Sequence, residues 1–127
     1  MNSLRSIFVI ALCFFASAAM AQSVVGDWKT EAPMQDGTIV EVKFTLSEDG
    51  TYSVDMGMDG IIEVKGKYEV NGNEMIIHDT EGPQACPPEA KGIYSAIVEG
   101  ETLMIERVKD ECEGRGNTDG VMHFSKM

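Results

Sequence analysis

Residues 62–73 read Ile62-Glu63-Val64-Lys65-Gly66-Lys67-Tyr68-Glu69-Val70-Asn71-Gly72-Asn73. Apolar or small residues alternate with charged ones for nine positions, and then the chain meets Asn-Gly. A period of two is the mark of a strand with one buried and one wet face. Asn-Gly supplies the positive φ that a tight hairpin demands. The wet face carries both Glu and Lys, which suits pairing across neighbouring strands.

The same rhythm extends in both directions. Val40, Val42, Phe44 and Leu46 alternate with Glu41, Lys43 and Thr45. Turn signals recur at Ser47-Glu48-Asp49-Gly50, Asp59-Gly60 and Glu99-Gly100-Glu101. Strands are therefore expected at 24–31, 38–46, 51–57, 61–70, 74–80, 92–98, 102–108 and 120–126. No stretch after residue 22 carries a helical period. Two longer connections remain, Glu81–Lys91 with three prolines and Lys109–Asp119. Short antiparallel strands joined mainly by hairpins predict an all-β fold, an eight-stranded antiparallel up-and-down barrel in preference to a sandwich. Closure into a barrel also leaves no apolar edge exposed.

Residues 1–21 read as a leader rather than as part of the barrel. Arg5 precedes the apolar run Ile7–Ala16, which is too short to span a bilayer, and Ala19-Met20-Ala21 gives a small-x-small cleavage pattern. Cys13 as a lipoprotein cysteine is the rival reading, disfavoured by the bulky Leu12 before it. The expected domain is 22–127, exported to the periplasm or secreted, with no membrane span.

The whole chain has 10 basic and 21 acidic residues and a net charge of −11. Nucleic acid and anionic membrane faces call for basic patches, so neither is an expected partner. Outside the leader the cysteines are Cys86 and Cys112. In an oxidising compartment such a pair reads as one disulfide, contributing about 3–4 kcal/mol on the chain-entropy model.

The single tryptophan stands in Val24-Val25-Gly26-Asp27-Trp28-Lys29. A Gly-x-Trp in the first strand of a small exported barrel resembles the signature of the lipocalin, or wider calycin, group. Residues 44–52, Gly66-Lys67-Tyr68-Glu69-Val70, Gly82–Cys86 and Cys112-Glu113-Gly114-Arg115 are also similar to small bacterial members. The resemblance implies that Gly26, Trp28 and Arg115 form a structural signature, with Trp28 plugging one barrel end against Arg115. It also implies a carrier of small apolar molecules.

An eight-stranded barrel is wide enough either to be filled by its own side chains or to hold one small ligand. The expected ligand-binding wall is Val42, Phe44, Tyr52, Val54, Val64, Tyr68, Ile77, Tyr94, Leu103 and Ile105, with Gly66 and Ala96 leaving room. Tyrosine hydroxyls would then orient the ligand. The same residues equally describe an ordinary packed core. In that case the chain is an interaction module that binds another protein through its disulfide-linked loops.

Catalysis has little support. His78 and His123 lie in separate strands, and Gly-x-Ser-x-Gly, His-Glu-x-x-His and phosphate-loop motifs are missing. Asp55 and Asp59 lack the EF-hand spacing, and Met56-Gly57-Met58 has no histidine beside it for copper. No catalytic residue, metal or cofactor is expected, and the acidic residues are expected mainly on wet faces and in turns.

Overall fold

The computed structural model describes residues 23–115 and 120–127. The proposed leader lies outside the described residues. The described residues form eight strands: β1 (Gly26–Pro33), β2 (Ile39–Leu46), β3 (Thr51–Met56), β4 (Val64–Asn71), β5 (Glu74–Glu81), β6 (Lys91–Glu99), β7 (Thr102–Asp110) and β8 (Val121–Lys126). Each pairs antiparallel with its sequence neighbours, and β8 returns to β1 to close the barrel. No helix long and apolar enough to cross a membrane occurs among the described residues.

The hairpins form where the sequence places its turn residues. Gly50, Gly72 and Gly100 adopt φ of 84°, 61° and 59°, a region that costs a residue with a Cβ steric strain. These turns, together with both ends of the barrel chain, lie at one end, called here the Trp28 end. Connections 34–38, 57–63 and 82–90 lie at the other, the disulfide end, with residues 111–115 after β7.

Along each strand, inward residues meet in one buried cluster. It contains Trp28, Phe44, Leu46, Tyr52, Met75, Tyr94, Leu103 and Phe124, among others. Phe44 is its hub, edge-on to Tyr52 at 5.8 Å and tilted against Phe124 at 5.5 Å between ring centroids. Such aromatic pairs add to the burial of area that drives closure. The seam between β1 and β8 is held through Trp28↔Lys126 and Lys29↔Ser125, with Met127 N–H donating to the Asp27 carbonyl at 3.0 Å.

Two β-bulges depart from simple alternation. In β4–β5, Lys65 pairs with Glu81 but Gly66 pairs with Asp79, so Thr80 is the extra residue. In β6–β7, Ile93 pairs with Lys109 but Tyr94 pairs with Arg107, leaving Val108 as the extra residue. A bulge turns the following side chains to the other face. Val108 stays outside, 67% exposed, and beyond it Asp110 turns inward, its side chain 0% exposed.

Candidate functional site

The disulfide end is sealed by a polar plug. On β3, Tyr52 lies across Gly66 of β4 and its hydroxyl donates to Asp79 Oδ1 on β5. The route exists because Gly66 has no side chain: a Cβ there would overlap the Tyr52 ring and the His78 carbonyl. A matching arrangement stands on β6 and β7. Tyr94 donates to Asp110 Oδ2, and a Cβ on Gly92 would come within 2.6 Å of the Tyr94 ring and 2.8 Å of Asp110 Oδ2.

The disulfide connections complete both sites. Cys86 and Cys112 are bonded, with Cα atoms 6.2 Å apart. The Cys86 N–H donates to Asp79 Oδ2 at 2.8 Å, and the Cys112 N–H donates to Asp110 Oδ1 at 2.8 Å. Arg115 then joins the two carboxylates, with Nη1 2.9 Å from Asp110 Oδ1 and Nη2 3.4 Å from Asp79 Oδ2. Its Nη2 also donates to the Ala90 carbonyl at 3.1 Å. Arg107 Nη2 donates to the Arg115 carbonyl. Buried carboxylates are tolerated because hydrogen bonds and an opposite charge replace their water. Burial first, and then the neighbouring carboxylate, push the Tyr52 and Tyr94 hydroxyls well above the usual tyrosine range.

This corrects one expectation. Arg115 does not cover the Trp28 ring: its guanidinium lies at the opposite barrel end, held by Asp79 and Asp110. Trp28 instead donates its indole N–H to the Val24 carbonyl at 2.8 Å and is 1% exposed. Most acidic residues do lie on wet faces or in turns, and the exceptions include Asp55 and Asp79, which are buried. Asp55 accepts from the Asp59 and Gly60 amides at 3.2 and 2.9 Å, which folds the 57–63 connection back onto β3. Asp55, Asp59 and Glu63 bring carboxylate oxygens within 4.8 Å of one another, and Glu63 also accepts from the Met56 N–H at 2.6 Å.

The Trp28 end carries an open recess of about 390 Å³. Val24 and Val25 enter it from the chain before β1, Tyr68 and Val70 from β4, and Ala96, Ile97 and Val98 from β6, with Ser23, Gly72 and Asn73 at its rim. The recess is thus mostly apolar with a few polar groups. Of the expected ligand-binding wall, Tyr68 reaches this recess. Phe44, Tyr52, Val64, Ile77, Tyr94, Leu103 and Ile105 lie in the buried cluster, with Val54 packed against it, and Val42 is buried as well.

Each of the three tyrosine hydroxyls already donates a hydrogen bond within the protein. Tyr68 donates to the Ser47 carbonyl at 2.5 Å, and burial followed by the charges of Asp49 and Glu48 raises its pKa. His78 stands on β5 opposite Lys67 and Lys91. His123 stands on β8, lining a shallow outer cleft of about 350 Å³ with Lys29, Thr30, Glu31, Glu41 and Ser125. Comparison with protein-family models, with curated proteins and with solved structures gives no match.

Proposed function

We propose that this chain is a non-catalytic, exported binding barrel that takes a small apolar or amphiphilic molecule into the recess at its Trp28 end. The observation that carries the reading is the 390 Å³ opening walled by Val24, Val25, Tyr68, Val70, Ile97 and Val98. Its volume falls within the range of small-molecule sites, and its lining is apolar with a few polar groups at the rim. Binding there draws on apolar burial, at about 25 cal/mol per Å² of surface removed from water. Kinship with the lipocalin group belongs to the same reading, supported by the up-and-down barrel and the buried first-strand tryptophan.

A second reading rests on the opposite end. Pro83, Pro87 and Pro88 are exposed on a connection that the disulfide holds in place, and rigid loops of this kind serve protein recognition. Titration with the neutral probe N-phenylnaphthylamine separates the two. The recess reading expects probe binding with a change in Trp28 fluorescence, because Trp28 is bonded to Val24 of the recess wall. Val70→Trp, which fills the recess from an exposed position, is expected to weaken binding about tenfold. Pro87→Ala should leave it unchanged. A wild-type protein that ignores the probe, or a Val70→Trp variant that binds it as well as wild type, overturns the recess reading and directs attention to the proline loop.

A further inference from the structure

The disulfide and the polar plug share their atoms. Cys86 lies in the connection between β5 and β6, Cys112 in that between β7 and β8, and neither takes part in a strand ladder. Yet each offers its own N–H to one of the two aspartates of the plug. Arg115 is three residues beyond Cys112 and donates its N–H to the Cys112 carbonyl at 3.2 Å. Its guanidinium reaches across to Ala90, whose N–H donates to the Pro87 carbonyl at 2.9 Å. The two connections are therefore joined once by sulfur and once by Arg115. Both cysteines are half-buried, and Pro87, Pro88, Glu111 and Glu113 beside them are exposed, so the bond lies in a surface connection and not in the barrel core.

We propose that Cys86–Cys112 is a redox latch on the plug: a dithiol reductant opens it, frees Arg115 and uncovers Asp79 and Asp110, while the strand ladder stays closed. One thiolate of the dithiol attacks a sulfur of the bond and forms a mixed disulfide, which the second thiol resolves. Two electrons and two protons pass to Cys86 and Cys112, and the dithiol becomes its own disulfide. Without the sulfur link, the amides of Cys86 and Cys112 leave the carboxylates. Arg115 then loses the chain geometry that aims it at both. The ladder persists because every barrel pair, from β1–β2 round to β8–β1, is made by residues outside these two connections.

Coupling between sulfur and plug is reciprocal, so weakening either must weaken the other. The test is the equilibrium of the intact mature protein with a dithiothreitol redox buffer, following the fraction of alkylated cysteines by mass. Arg115→Ala removes a partner from the oxidised form only, so its disulfide should reduce about tenfold more readily, a rise of about 30 mV in potential. Tyr94→Phe keeps Arg115 and loosens Asp110, and it should shift in the same direction by less, which covers a failure of Arg115→Ala to fold. Trp28→Ala, at the far end, should leave the equilibrium where it is. Unchanged potentials in both plug variants overturn the proposal. A second readout is hydrogen exchange of the reduced, alkylated protein. Faster exchange is expected at Cys86, Cys112 and Arg115, with the β1–β4 ladder still protected. Loss of protection throughout the barrel, or none at those three amides, overturns it as well.

Discussion

The two ends of this barrel are closed by opposite chemistry. At the Trp28 end an indole 1% exposed covers the core, and its one polar atom is satisfied by the Val24 carbonyl. At the disulfide end, two carboxylates, two phenols and a guanidinium lie where a core would ordinarily be apolar. An apolar lid tolerates approximate packing, because burial is non-directional. A polar plug loses stability with each partner it loses, because a buried polar group left unpaired keeps the cost of its lost water. That difference accounts for where the molecule opens. The recess lies beside the forgiving apolar lid, whereas the polar end is additionally fastened by sulfur.

Removing the anchor at each end should cost similar amounts for different reasons. Arg115→Ala leaves Asp79 and Asp110 buried without their cation and is expected to lose about 3–5 kcal/mol in urea unfolding. Trp28→Ala opens a cavity and is expected to lose about 3–5 kcal/mol. Adding Asp110→Leu to each variant distinguishes them: it should recover part of the loss in Arg115→Ala and deepen that in Trp28→Ala. Equal responses would erase the contrast between the ends.

Alkaline titration sharpens it further. The tyrosine hydroxyls of the plug are raised from an ordinary value of 10.0. A group with a raised folded pKa lends stability below its unfolded value, and that stability is lost as pH rises above it. Stability should therefore begin to fall near pH 10, and tyrosinate absorbance from Tyr52 and Tyr94, followed in a Tyr68→Phe background, should appear only with unfolding. Tyr94→Phe should flatten that fall and cost about 1.5–3 kcal/mol at neutral pH, the worth of a hydrogen bond to a charged group. A smooth tyrosinate titration centred on 10 in the folded protein would mean that the plug is open to water. The smallest effect belongs to the barrel wall, where Lys65 and Glu81 approach to 3.8 Å with both side chains largely exposed. Lys65→Ala should change stability by about 0.5 kcal/mol or less.

Much of this could be read before the fold was in view. The alternation through Val64, Gly66 and Tyr68, ending at Asn71-Gly72-Asn73, marks β4 and its hairpin to within a few residues. Gly66 was legible as a small inward residue. What it makes room for was not, because Tyr52 crosses it from another strand. Asp110 shows the limit more sharply. A strict period of two from Leu103 and Ile105 places residue 109 inward and Asp110 in solvent. The bulge at Val108 reverses that order, and no local residue preference announces it. Arg115 was singled out by the lipocalin resemblance, as the arginine just before the last strand, but its partners come from β5 and β7 and from a connection 25 residues away.

The sequence by itself determined an eight-stranded antiparallel barrel, its hairpins and the pairing of its two cysteines. Alternation, turn residues and cysteine count are properties of neighbours along the chain, and the chain states them directly. Tertiary structure alone decided that Arg115 serves the disulfide end instead of Trp28, and that Asp79 and Asp110 are buried. It also decided that the open recess lies outside the packed interior. Those outcomes depend on which strands are brought side by side and where a bulge turns a side chain inward. A buried charge is stable only beside partners that closure of the barrel supplies.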